Sequence, residues 1–388
     1  MASQDRHPVY SAAQELLPEL KRRAVEMEAV RRLPADMART MAQAGLFRLV
    51  VPAAFGGYEA TPAEIVEIVA AISAANASAG WCVMIGATTA MNAAYLPAEI
   101  AEDIYGDPHV ITGGVFAPMG KAVSDGDDYI VNGQWQWASG SENCDWLCAG
   151  AIIYDGDEMR LLPSGRPDTR MMIFPRSQAD LIDSWHVMGL QGTGSGDMRL
   201  DGIRVPKART VSLVTDRPNQ PGGLYAFPAF GLLSLGVAAV AMGNAAGALS
   251  DFFDLACAKK SQGSSKTLSE RANIQAEIAR LTAQHRAAKA YLENEVAATW
   301  RVAQAEGDIP VERRAALRMA CTHMVRGSAD LCRSVYDMGG GAALFSSSPL
   351  QRRFRDSHAM TQHIVTAPAT WELTGRLLFD LPTDAAMV

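Results

Sequence analysis

Long apolar runs are missing from this 388-residue sequence. A membrane-crossing helix needs about 18 or more consecutive apolar residues. The longest weakly polar run here, Phe227 to Leu249, is broken by Pro228, Gly231, Ser234, Gly236, Gly243, Asn244 and Gly247, so it predicts a buried helix and no membrane span. The first residues, MASQDRHPVYS, lack the basic-then-apolar layout of a secretory leader. Basic runs are missing too: 35 Lys and Arg face 42 Asp and Glu, for a formal net charge of −7. A phosphate-neutralising surface, and hence nucleic acid as a partner, is not expected. The six cysteines (Cys82, Cys144, Cys148, Cys257, Cys321, Cys332) contain no CxxC pair. Reduced thiols in a cytoplasmic protein are the simpler expectation than a disulfide framework.

Familiar catalytic signatures are also absent. There is no GxxxxGK[ST] phosphate loop, no GxGxxG after a strand, no GxSxG elbow and no HExxH. The seven histidines, His7, His109, His186, His285, His323, His358 and His363, form no zinc-spaced cluster with the cysteines. Metal catalysis and Rossmann-type nicotinamide binding are therefore not expected. What the chain does have is 48% hydrophobic residues, which excludes disorder, and enough length for two or three domains.

Three compositional zones follow one another. Residues 1–109 read as helical, with Leu16, Leu17, Leu20, Val25, Met27 and Val30 at three-to-four spacing. A helix start is expected at Thr61-Pro62-Ala63-Glu64, with threonine at the cap and glutamate three residues on. Residues 110–216 read as strands: Gln134-Trp135-Gln136-Trp137-Ala138 alternates, and runs at Leu147–Tyr154, Arg170–Phe174 and Met198–Val205 are separated by Asp, Gly and Pro clusters. No helix-length pattern separates them, so a compact antiparallel β domain is expected. Residues 217–388 return to long helical runs, at Phe230–Lys260, Leu268–Glu306, Val311–Met338 and Arg355–Asp380, which predict a bundle.

Three polar clusters are candidates for chemistry. Gly133 to Ser141 places two tryptophans on one strand face with a hydroxyl at its end, a surface able to receive a flat heterocycle; a buried sheet face followed by a Ser-Gly turn explains it as well. Trp185 to Gly196 holds the Gly-rich stretch Gly192-Thr193-Gly194-Ser195, equally readable as an inter-strand turn. Arg352 to His363 carries two histidines five residues apart, which on a helix would not share a face. His363 lies beside Ile364 and Val365, where a histidine is often a satisfied core residue.

Together these residues resemble the acyl-CoA dehydrogenase superfamily over nearly the whole chain. The segment Leu46 to Gly57 is similar to its early PxxxGG stretch, Trp137-Ala138-Ser139 to its flavin-contacting Trp-Ile-Thr strand, and Arg355-Asp356 to its late Arg-Asp pair. The resemblance implies an α+β fold: an N-terminal helical domain, a β-barrel-like middle and a C-terminal four-helix bundle, usually in a tetramer. The dehydrogenases' catalytic glutamate lies eight residues after the aspartate of Arg-Asp, and here that position is Ile364. No glutamate lies between Glu158 and Glu270 either, and only Glu372 follows Glu312. A thioester dehydrogenase needs that base to remove its α-proton.

The substitutions resemble instead the two-component flavin monooxygenase branch. That branch carries Pro-x-Gly-x-Ala (here Pro118, Gly120, Ala122), Gly-x-Trp-x-(Phe/Trp)-x-Ser-Gly (Gly133 to Gly140), a Gly-Thr-Gly-Ser loop (Gly192 to Ser195) and a histidine after Arg-Asp (His363). The resemblance implies reduced FMN or FAD, supplied by a separate NAD(P)H-dependent flavin reductase, reacting with O2 through a C4a-hydroperoxide to oxygenate an aromatic or polycyclic molecule. It implies catalytic roles for Ser139, near flavin N5, and for His363, which would take a substrate proton or position the peroxide. It carries cofactor contacts onto Trp137, Ser139, Ser141, Gly192, Thr193, Gly194, Ser195, Lys259, Gly339 and Gly340. Two departures stand out: the helix at Gly80-Trp81 has no histidine, and the flavin-phosphate arginine motif appears as Lys259-Lys260-Ser261-Gln262-Gly263. The rival expectations are a dehydrogenase-like flavoprotein with a displaced base, and a ligand-binding assembly without chemistry.

Overall fold

The structure is a computed structural model that describes residues 7–260, 263, 265–305, 308–386 and 388. The leader reading of residues 1–6, the motif positions Ser261 and Gln262, and the expected helix end at Glu306 fall outside the described residues. The helical first zone consists of α1 (Pro8–Arg22), α2 (Ala24–Val30), α3 (Ala35–Gln43), α4 (Pro62–Ala75), α5 (Ala77–Thr89) and α6 (Ala98–Tyr105). Its expected start at Thr61 is a full capping box, in which Thr61 accepts from Glu64 N–H and the Glu64 carboxylate accepts from Thr61 N–H. Asn76 caps α5 by accepting from Ala79 N–H at 2.9 Å.

The middle zone is one sheet of β1 (Thr112–Asp125), β2 (Asp128–Trp135), β3 (Trp146–Asp155), β4 (Glu158–Met159), β5 (Thr169–Pro175), β6 (Asp180–Ile182), β7 (Asp197–Pro206) and β8 (Thr210–Val211). The strand order is β6-β7-β2-β1-β3-β5-β8, with β4 on β3. The sheet is mixed, which corrects the antiparallel expectation: β1 and β3 pair in parallel. The cause lies in residues 136–145. After the β1–β2 hairpin this loop carries the chain back to the start of β1, where Asp145 N–H donates to Ile111 O (2.8 Å) and the Asp145 carboxylate accepts from Ile111 N–H (2.9 Å). Two strands pinned at their starts run the same way.

The third zone holds α7 (Gly223–Ala226), α8 (Ala229–Ala258), α9 (Ala272–Gln304), α10 (Val311–Gly339), α11 (Pro349–Met360) and α12 (Ala369–Leu378). Helix α8 is long and apolar enough to cross a membrane, yet 89% of its most apolar window is buried inside the fold, as expected of a helix that is hydrophobic all round. The single helix expected over Arg355–Asp380 is instead two. α11 stops at Met360, a 3-10 turn covers Ile364–Thr366, and α12 starts after Pro368. Ala367 is extended, as a residue preceding proline must be. The break puts His363 outside any helix. One apolar core runs through all three zones, from Val9 to Val365, and a smaller one lies where the ends of α8 and α10 meet α11. The sheet and the bundle are thereby held against each other.

Candidate active site

Strand β2 ends at Trp135, whose ring is fully buried and whose Nε1 donates to Gly150 O at 2.7 Å. The expectation that Trp135 and Trp137 share one strand face fails. Trp137 has left the strand with φ +67° and is 60% exposed. Positive φ in a bulky residue is strained and persists only where its surroundings hold it. They do so here: Ala138 N–H donates to Gly196 O (3.0 Å), Ser139 N–H to Trp137 O (2.8 Å) and Gly140 N–H to Thr193 O (2.8 Å). The two expected clusters, 137–141 and 192–196, are therefore locked together, with the Trp137 indole turned outward.

Behind that indole runs a chain of hydroxyls. Trp81 Nε1 on α5 donates to Ser139 Oγ at 3.1 Å; Ser139 Oγ lies 2.6 Å from Ser195 Oγ; Ser195 Oγ lies 2.6 Å from Thr193 Oγ1; and Thr193 Oγ1 donates to Leu190 O at 2.8 Å. Ser139, Thr193 and Ser195 are all buried. Ser141 is buried in the next turn and lines a shallow depression with Arg31, Arg32 and Gly194.

The Arg-Asp pair holds this loop from the far side. Asp356 Oδ1 accepts from Leu190 N–H at 2.6 Å, and Arg355 donates to Met188 O. Gly189 passes so close that a Cβ there would sit 2.2 Å from Arg355 O. Leu190 is itself left-handed, with φ +53°. Burial pushes the Asp356 carboxyl up to about 6, against the lowering effect of the Leu190 hydrogen bond.

His363 comes to the same place from the bundle. Its ring packs edge-on to Trp81, with centroids 5.6 Å apart, so one indole touches both expected catalytic residues. Its Nδ1 accepts from Val365 N–H at 3.4 Å and caps the 3-10 turn. Burial, reinforced by the positive charge of Arg318, holds its pKa down to about 4. A neutral ring whose Nδ1 is an acceptor carries its proton on Nε2. His363 is therefore a hydrogen-bond donor at Nε2. Acting as a base would first require the ring to give up Val365.

Lys259, Gly339 and Gly340 meet one another, with Lys259 Nζ donating to Gly339 O at 2.6 Å. They do not join this group. Lys259 lies at the C-terminal end of α8, roughly 35 Å along the axis from Gly236, which packs on Met84 of α5. Trp81 and Arg318, which bear on His363 through ring packing and charge, were not among the expected site residues. Trp81 was legible only as part of a Gly-Trp pair. Arg318 carried a clearer signal: a charge in the apolar stripe of α10 with Cys321, Thr322 and Val325, at i+3, i+4 and i+7. Its Nη2 donates to Phe230 O at 3.5 Å, and Phe230 packs on Phe116 across the sheet–bundle junction.

Residues 8–98 match the N-terminal domain of acyl-CoA dehydrogenases and residues 235–368 the C-terminal domain. Indole-3-acetate monooxygenase of Pseudomonas putida is 30% identical, over 91% of this chain and 89% of that protein. The oxygenase component of the FADH2-dependent resorcinol hydroxylase of Rhizobium sp. is 30% identical, over 92% of this chain and 89% of its own. The crystal structure of the 3-HSA hydroxylase of a Rhodococcus species superposes with TM-score 0.88 at 28% identity, covering 99% of this chain and 100% of that one. The chain belongs to the acyl-CoA dehydrogenase family, among its flavin-dependent monooxygenases. The residue chemistry of this loop fits a flavin: the exposed Trp137 indole offers a flat apolar face, and the buried Ser139 hydroxyl, two residues on, offers hydrogen-bonding capacity to a ring nitrogen. Among the described residues no cluster of His, Cys, Asp and Glu could hold a metal ion.

Proposed function

We propose that this chain is the oxygenase component of a two-component flavin monooxygenase that inserts one oxygen atom of O2 into an aromatic or polycyclic small molecule. The observation that carries the reading is the meeting of Ser139 and His363 on Trp81, where among the described residues no carboxylate hydrogen-bonds to either side chain. The dehydrogenase's glutamate position is Ile364, which is 73% exposed, and Glu372 lies exposed on α12. Neither supplies a displaced base. Bound reduced flavin, FMN or FAD, would supply the two electrons that activate O2, one oxygen going to product and the other to water.

The chain's own residues position and protect that chemistry. Trp137 would lie against the ring system, and Ser139 would fix its orientation through one hydrogen bond. His363 would hold a proton at Nε2 toward the oxygen being transferred. The buried Trp81 and the Phe116–Phe230 pair at the sheet–bundle junction would keep water from the reacting atoms, which limits wasteful peroxide release. A separate NAD(P)H-dependent reductase would deliver the flavin. We further infer a cytoplasmic homotetramer. The exposed Leu344, Phe345, Leu378 and Phe379 support association through apolar faces, and a neighbouring copy would bring Lys259, Gly339 and Gly340 to the phosphate end of the flavin.

The test is to supply the purified chain with a flavin reductase, NADH and isotopically labelled O2, over a panel of phenols and indoles. Labelled oxygen in a product supports the reading. Absence of label across the panel, together with reduction of bound flavin by an acyl-CoA, would return the chain to the dehydrogenases.

A further inference from the structure

The hydroxyl chain behind Trp137 has a direction. Each hydroxyl carries one hydrogen and can accept two, an indole N–H only donates, and a carbonyl only accepts. Thr193 Oγ1 donates its hydrogen to Leu190 O, so the 2.6 Å contact between Thr193 and Ser195 is made with Ser195's hydrogen. The 2.6 Å contact between Ser195 and Ser139 is then made with Ser139's hydrogen. Ser139 in turn receives the hydrogen of Trp81 Nε1. Every hydrogen in the series Trp81, Ser139, Ser195, Thr193, Leu190 points the same way and finds an acceptor. Ser139 is left with its own hydrogen committed inward and one lone pair unused.

We propose that this polarity makes Ser139 an acceptor toward the cofactor, and that Thr193 thereby acts as a redox-specificity residue selecting reduced over oxidised flavin. The inference rests on the flavin reading above. Reduced flavin carries a hydrogen on N5 and can donate it to Ser139. Oxidised flavin presents a lone pair at N5 and asks Ser139 to donate. To comply, Ser139 must turn its hydrogen outward, Ser195 must donate to Ser139, Thr193 must donate to Ser195, and Leu190 O must lose the Thr193 hydroxyl. Leu190 O keeps Thr193 N–H at 3.1 Å and the Trp185 indole N–H at 3.1 Å. Reversal therefore forfeits one O–H···O bond, and this alone favours the reduced form by about three- to ten-fold. Such a preference suits an oxygenase that must take up reduced flavin and let oxidised flavin go.

The experiment is equilibrium binding, not turnover. Anaerobic titrations of the full chain with reduced and with oxidised FMN and FAD give the ratio of oxidised to reduced Kd. Thr193→Val removes the hydroxyl that anchors the polarity, so Ser195 donates to Ser139 by default. The ratio should then fall by about three- to ten-fold, through tighter oxidised-flavin binding. Thr193→Ser restores the hydroxyl and should restore the ratio. Ser195→Ala, which cuts the chain at a second point, should lower the ratio as Thr193→Val does, and it guards against a folding defect in either variant. An unchanged ratio in both Thr193→Val and Ser195→Ala would overturn the relay while leaving the flavin site standing. Failure of wild-type protein to bind either redox form would overturn the flavin reading, and the relay with it.

Discussion

Gly189→Ala tests whether the Arg-Asp pair holds the hydroxyl loop. The added Cβ would sit 2.2 Å from Arg355 O, 2.5 Å from Arg355 C and 2.9 Å from Asp356 N. All three are backbone atoms of α11, so no rotamer change relieves the clash. Restoring ordinary contact requires the loop to retreat by about 1 Å. That displacement stretches the 2.6 Å bond from Leu190 N–H to Asp356 Oδ1 beyond hydrogen-bond range and leaves a buried carboxylate without it. A hydrogen bond to a charged group contributes about 1.5–3 kcal/mol, and the neighbouring Arg355 contact to Met188 O weakens as well. The expected loss is about 2–3 kcal/mol in denaturant unfolding, accompanied by weaker reduced-flavin binding because Leu190 O and Thr193 move with the loop. Gly327→Ala on α10 is the control. Nothing lies within 4 Å of its added Cβ, and alanine in a helix interior should stabilise by up to about 1 kcal/mol. Wild-type stability and wild-type flavin affinity in Gly189→Ala would refute the clamp.

Other substitutions probe the same site. The folded Asp356 carboxyl keeps its proton up to about pH 6, whereas an unfolded aspartate loses it near 3.8. The folded state thus binds more protons in that window, and stability falls as pH rises through it. Asp356→Asn, which still accepts from Leu190 N–H, should flatten the fall between pH 4 and 6 in unfolding curves; an unaltered curve would sink the assignment. His363 has the opposite sign, because its folded pKa of about 4 lies below the ordinary 6.5. The unfolded chain binds more protons between those values, so stability falls progressively as pH drops from about 6.5 to about 4, while the folded ring itself stays neutral until pH nears 4. The ratio of product to hydrogen peroxide should hold steady from pH 8 to 6 and drop below about pH 5; a break near 6.5 would contradict the buried, neutral ring. Trp137→Ala should change stability by less than about 0.5 kcal/mol, since the ring is mostly in solvent, while weakening flavin binding measurably in an anaerobic titration.

The succession of zones was legible because helix and strand periods differ and because the signals agreed across levels. Thr61 to Glu64 gave a cap, Phe227 to Leu249 an all-round apolar helix, and the Asp-Gly clusters the hairpins. Parallel pairing of β1 and β3 was not legible, because it depends on a long-range bond between Asp145 and Ile111 that no local pattern encodes. Of the candidate site, individual residues were legible and the contacts that join them were not. Ser139 and His363 could be named, yet the indole that joins them belongs to Trp81, which carries only the ordinary signature of a buried aromatic. The reading of Trp135 and Trp137 as one face failed because strand alternation was extended past the point where β2 ends. Only the backbone shows Trp137 in the left-handed region. The helix break at residues 361–368, which sets the orientation of His363, was signalled by Pro368 alone.

The most direct measurement is rapid mixing of the chain, loaded anaerobically with reduced flavin, against oxygenated buffer while the flavin spectrum is recorded. A species distinct from both reduced and oxidised flavin should persist before oxidised flavin appears, and should be shorter-lived in Ser139→Ala and His363→Ala. A single-step return to oxidised flavin at the rate of free flavin in solution, unaffected by either substitution, would mean that the chain is not an oxygenase acting through these residues.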